Sequence, residues 1–208
     1  MKRSFIQLLF VLLLPAASFA SEAPDLYEKY TCEGNYFNAL VPKAWEKTEK
    51  GHPYGDLTNI YGVKLRGPKN ADGAPVAISL LYYSGEKFFK THGEYINNRL
   101  NSLARVDYDV KQVPVDIEIA GRRGIKFSLK TFELVTLPGW HAPARSEGDP
   151  RIYEIAPPSK QVTMAESFIV VPAGKGFYVL HYRAPEDSAE EYRGVFQKVT
   201  ASFEPQVK

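Results

Sequence analysis

An antiparallel β-sheet flanked by helices on its faces, an α+β domain, is the fold class that the sequence predicts, on three observations. Runs of alternating or continuous apolar residues recur with turn residues between them. Two stretches carry helical spacing behind a capping sequence. The order is strands, helix, strands, helix, with hairpin connections in place of repeated strand-helix-strand crossovers.

The chain has 208 residues, and residues 1–20 read as a signal peptide. Lys2 and Arg3 are its positive region, Phe5 to Leu14 its apolar run, and Ser18-Phe19-Ala20 a small-residue cleavage site. These ten positions, broken only by Gln7, rise only about 15 Å as a helix, half of a hydrocarbon core, so the segment is too short for an anchor. No later stretch is long enough to span. Cys32, the single cysteine, lies well beyond the cut, which argues against lipidation and leaves burial, or pairing with another molecule, for its thiol. The expected localisation is export to a periplasm or to the medium.

Removing Lys2 and Arg3 from 26 basic residues leaves 24, against 24 acidic ones. A neutral chain without a basic stripe argues against nucleic acid as the main partner. Hydrophobic residues at 44%, with 12 Phe, 13 Tyr and 2 Trp, exclude disorder and point to one globular domain with a sizeable core.

Residues 21–35 lack a clear period and read as an N-terminal arm or linker, with room for one helical turn near Leu26 to Tyr30. The domain proper is placed at 36–208. Tyr36 to Val41 is a strand, Pro42-Lys43 turns the chain, and Trp45 to Glu49 continues extended. Asn59 to Arg66 and Pro75 to Tyr83 form a hairpin around the polar turn Gly67 to Ala74. Thr91 and Glu94 then make a capping box, with Ile96, Leu100 and Leu103 as one helical stripe. Val113 to Ile119 and Ile125 to Leu129 alternate. Facing their apolar sets together would pair positions of equal parity and set Asp116 or Glu118 opposite Lys126. Phe168 to Val171 and Phe177 to Tyr182 are apolar on both faces around Gly174-Lys175-Gly176, which places them mid-sheet. Ser188 and Glu191 make a second box, before a face of Tyr192, Val195, Phe196, Val199 and Phe203.

Two segments carry a family resemblance. Phe37-Asn38-Ala39-Leu40-Val41-Pro42-Lys43-Ala44-Trp45, extended and turning at Pro before a Trp, resembles the opening of the PsbP-like domain family, which includes the extrinsic lumenal protein of photosystem II and bacterial exported relatives. The stretch from Ala189 to Phe203 is similar to that family's last helix, which ends in a Ser-Phe pair, here Ser202-Phe203. The resemblance implies an α-β-α sandwich and a non-catalytic accessory or binding role, often beside a larger complex. It carries over no ligand, because no matching set of metal-binding residues is present.

The segment 137–164 departs from that family's pattern. It is a Pro-rich loop insertion holding five of the 15 prolines, with Arg145, Glu147, Asp149, Arg151 and Glu154 among them. A long connection inside a compact domain is often a binding loop. Trp140, His141, Arg145 and Tyr153 are the candidate partner-binding residues, since Trp and Tyr offer rigid amphipathic contact area; the alternative is that Trp140 folds back to seal a sheet end.

Catalytic signatures are sparse. The sequence has no Gly-x-Ser-x-Gly, no His-Glu-x-x-His and no Cys-x-x-Cys, and His52, His92, His141 and His181 are scattered. His181 sits mid-strand, where a hydrogen-bonded sheet histidine outranks a general base. Asp107-x-Asp109 and Asp116-x-Glu118 lack the six or more oxygens that Ca²⁺ takes. The expectation is a non-enzyme without cofactor or metal that docks on an envelope protein or complex. A small-ligand or metal-binding periplasmic protein is the alternative, and a secreted hydrolase the second.

Overall fold

The computed structural model describes residues 26–50, 59–85, 89–102, 105–106, 113–137 and 157–207. Among the described residues the strands are β1 Tyr27–Thr31, β2 Phe37–Pro42, β3 Glu46–Lys50, β4 Ile60–Lys69, β5 Pro75–Tyr83, β6 Val115–Ile119, β7 Arg122–Thr136, β8 Ser159–Ala173, β9 Gly176–Pro185 and β10 Glu204–Pro205, and the helices are α1 His92–Leu100 and α2 Ala189–Ala201. These ten strands fall into two sheets. The larger has seven strands in the order β3-β4-β5-β9-β8-β7-β6, and the smaller has three in the order β1-β2-β10. Among the described residues every strand pairing is antiparallel, including β5 with β9 and β10 with β2, which no hairpin joins. The fold is α+β.

Strand β9 is the middle of the seven, and its two side-chain sets join different clusters. Tyr178, Leu180, Tyr182 and Ala184 pack with Phe37, Ala39 and Val41 of β2 and with Phe196 and Val199 of α2. Phe177 and Val179 pack with Tyr95 and Ile96 of α1 and with Phe127 and Phe168. Alternation along a strand puts these sets on opposite faces. Burying a side chain such as Phe37 or Phe177, at most 1% exposed, contributes roughly 1.5–3 kcal/mol.

Four expectations need correction. Tyr27–Thr31, assigned to the arm, forms β1 along β2, and residues 33–35 make a single 3₁₀ turn. The apolar partners are Tyr30 and Phe37, whose rings lie 6.0 Å apart. The Pro-rich insertion is shorter than 137–164, because Ser159 to Met164 pair with Thr131 to Thr136 and lengthen β7 and β8 to 15 residues each.

The hairpin of β6 and β7 has the opposite register to the one expected. Val115 lies across from Lys126, and Glu118 from Arg123. Its turn is two residues, Ala120 (φ 50°) and Gly121 (φ 71°), and a two-residue turn with both φ positive fixes Ile119 opposite Arg122. The apolar sets therefore part: Ile117 and Ile119 lean on the α2 side, and Ile125 on the α1 side.

The capping also differs between the helices. Thr91 Oγ1 accepts from the Glu94 N–H at 3.1 Å, while the Glu94 carboxylate accepts from Lys90 N, not from Thr91. Ser188 makes no side-chain cap; its hydroxyl donates to the Pro185 carbonyl at 3.4 Å.

Candidate functional site

The α1 side of the large sheet changes character along its strands. One cross-strand row reads Thr48, Lys64, Ser79, His181, Phe168, Phe127, each directly opposite the next. The neighbouring row reads Glu46, Arg66, Ala77, Arg183, Glu166, Leu129. Helix α1 lies over the aromatic part of this face, where Tyr95 contacts Tyr83, Phe168 and Phe177. Lys64 and Arg66 are exposed.

Glu166 is the hub of the polar part. Its side chain is only 10% exposed. Oε1 accepts from Thr131 Oγ1 at 2.5 Å and from Arg183 Nε at 3.2 Å, and Oε2 lies 2.8 Å from His181 Nε2. Burial alone would raise this carboxyl. The His181 hydrogen bond and charge, the Thr131 hydroxyl and the Arg183 charge outweigh burial and hold it at about 2. Arg183 also pairs with Glu133 through Nη1.

The order of these groups is hydroxyl, carboxylate, imidazole. Nucleophilic catalysis needs the imidazole between the other two, so that it can take the hydroxyl proton. Here the Thr131 proton is directed at Glu166, a carboxylate too weak a base at this pKa to activate it.

Arg99 comes down from α1. Its guanidinium stands 5.2 Å from the Tyr95 ring centroid, and its charge and hydrogen bonding lower the Tyr83 and Tyr95 hydroxyls, although burial still pushes both up overall. The buried Nε of Arg99 has no hydrogen-bond partner. Two recesses meet here. One of about 240 Å³ is lined by Arg99, Thr131, Glu166, His181 and Arg183. The other, about 460 Å³, runs along β5 past Ala77, Ser79 and Leu81 between Lys64 and Arg66 on one wall and His181 and Arg183 on the other. Among the described residues no group of three or more His, Cys, Asp or Glu is arranged to hold a metal ion, and no helix is long and apolar enough to cross a membrane.

The candidate residues Trp140, His141, Arg145 and Tyr153 lie outside the described residues, as do Asp107 and Asp109. His181 is the sheet histidine expected, bonded to Glu166. Sequence reasoning missed Glu166, Thr131 and Glu133. Their signal is present: Glu166 is two positions before Phe168 and shares its face, so a carboxylate interrupts the apolar set Val162, Met164, Phe168 and Val170. A strand that starts at Phe168 leaves this signal out.

No protein-family model and no curated protein sequence matches the chain. Several solved structures are similar to it. Cyanobacterial PsbP (CyanoP) from Synechocystis is 11% identical, over 92% of this chain and 99% of its own, with a TM-score of 0.49. A Pseudomonas aeruginosa protein of unknown function is 8% identical over 88% and 99%, with a TM-score of 0.43. LpqN, involved in cell envelope biogenesis of Mycobacterium tuberculosis, is 13% identical over 81% and 82%, at 0.39.

Proposed function

We propose that the protein is an exported, non-catalytic accessory protein, built as an α-β-α sandwich, that binds its target over the part of the sheet α1 leaves open. The recess along β5 carries this reading. Its floor is made of small side chains, Ala77 and Ser79, in the interior of a sheet, where larger residues would otherwise pack against a covering layer. The hydroxyl-carboxylate-imidazole order beside it favours binding over hydrolysis. Export rests on the leader at 1–20. The target is an envelope protein or complex, or a small ligand, with Trp140, His141, Arg145 and Tyr153 as further candidate partner-binding residues.

The test is non-denaturing mass spectrometry on protein isolated from its native envelope, beside a Lys64→Glu/Arg66→Glu variant. A bound species retained by the first and lost from the second is expected. Identical spectra from both would overturn the reading.

A further inference from the structure

Three rings form a ladder across the sheet on the α1 side. Phe127 and Phe168 stack with centroids 4.8 Å apart and planes 7° from parallel, and Phe168 and His181 with centroids 4.1 Å apart, again at 7°. These residues sit directly opposite one another on β7, β8 and β9, so the stacking direction runs from strand to strand. The next rung, on β5, is Ser79. A serine leaves the second face of the His181 imidazole without a ring, and both residues line the recess. The rung after that is Lys64. Two strand spacings, roughly 9.6 Å, separate β9 from β4, which is room for one planar ring between the imidazole and the Lys64 side chain.

We propose that this vacant rung is a binding site for a planar aromatic ring bearing a carboxylate or similar oxyanion. The ring stacks on His181 above Ser79, with Lys64 over its other face as a cation-π partner. One residue pair along β5, Ala77 is flanked by Arg66 on β4 and Arg183 on β9. An oxyanion projecting from the ring over Ala77 lies between those two guanidinium groups. The recess supports the sign of the charge: four permanent cations, Lys64, Arg66, Arg99 and Arg183, line it, against the carboxylates Glu46 and Glu133 of its own lining and Glu166 of the adjoining recess, which with Glu133 shares Arg183. Towards α1 the floor becomes Leu81 and Val179, an apolar bed for a second fused ring. This assignment deepens the binding reading above and rests on it.

The experiment titrates the purified protein with 2-naphthoate, following the His181 and Ser79 resonances by NMR and the thermal midpoint. Saturable shifts at both residues and a raised midpoint are expected, with decalin-2-carboxylate, charged but not planar, and 2-naphthamide, planar but neutral, each binding at least tenfold more weakly. Ser79→Leu fills the rung and should weaken naphthoate at least tenfold. Arg66→Gln, at an exposed position that leaves the core intact, should weaken naphthoate several-fold and leave naphthamide unchanged. Absence of saturable shifts at His181, equal affinity for decalin-2-carboxylate, or undiminished naphthoate binding by Arg66→Gln would overturn the assignment. If naphthoate fails while the Lys64→Glu/Arg66→Glu variant still loses its native bound species, the binding face stands and the planar-anion assignment alone falls.

Discussion

The hydroxyl of Tyr178, on the central strand of the large sheet, donates to the backbone carbonyl of Tyr36, which enters the small sheet, at 2.7 Å. The same oxygen accepts from the N–H of Val207 at 3.0 Å. One phenol thereby fastens both the start of β2 and the end of the described chain to β9. Tyr178→Phe keeps the ring packing against Phe37 and Phe203, leaves the Val207 N–H without its partner and leaves the Tyr36 carbonyl with the Gln206 N–H alone. The expected cost is about 1–2 kcal/mol, read as a thermal midpoint lowered by roughly 2–8 °C. An unchanged midpoint would show that the bridge contributes nothing net.

Glu166 should govern the acid limb of stability. Its folded carboxyl is held at about 2 against an ordinary 4.5. Above about pH 4.5 both folded and unfolded forms are ionised and the stabilisation is fully present. As the pH falls from there towards 2 the unfolded chain takes up a proton that the folded chain refuses, so the contribution, on the order of 3 kcal/mol, is progressively lost. Urea midpoints measured from pH 6 to pH 2 should fall more steeply for the native chain than for Glu166→Gln. Parallel curves would mean that Glu166 is not held low.

Trp45 lies against Gly67, where an added Cβ would come within 2.6 Å of the indole. It also meets Tyr192 of α2, edge-on at 6.4 Å. Gly67→Ala must push the indole away, and the emission of Trp45 should change in a Trp140→Phe background, with a loss of about 1–3 kcal/mol from the displaced packing. Identical emission in the two chains would contradict the contact.

Cys32 is 2% exposed, and burial pushes its thiol up to about 11. A thiolate-dependent reagent such as DTNB should therefore modify the folded protein far more slowly than the urea-unfolded chain at pH 8. Equal rates would place the thiol at the surface and return the pairing of Cys32 with another molecule to consideration.

The strand and helix order was legible because each element carries its own period and its own turn. The hairpin of β4 and β5 follows from two strand-like runs around the polar turn Gly67 to Ala74, and the mid-sheet position of β8 and β9 from runs apolar on both faces. The β6-β7 register was not legible from hydrophobic pattern, since Ile117 and Ile125 are equally apolar but belong to opposite faces; the positive φ of Ala120 decides it, and alanine rarely advertises that conformation. β1 escaped notice because Glu28 and Lys29 interrupt its apolar positions; Glu28 forms an ion pair with Lys47 of β3. The site was the least legible part. His181, Glu166 and Thr131 come from three strands, and only the cross-strand register brings them together.

The two outermost strands of the large sheet bear on how the protein behaves in a crowd. β3 exposes Glu46, Lys47 and Glu49, and β6 exposes Asp116 and Glu118 directly after Pro114. A second sheet seeking to extend the ladder would meet charges of both signs at one border, and two carboxylates behind a residue without an N–H at the other. Growth by strand addition is disfavoured at both ends. The exposed Val115 is the apolar residue of β6 that such an addition would still have to cover.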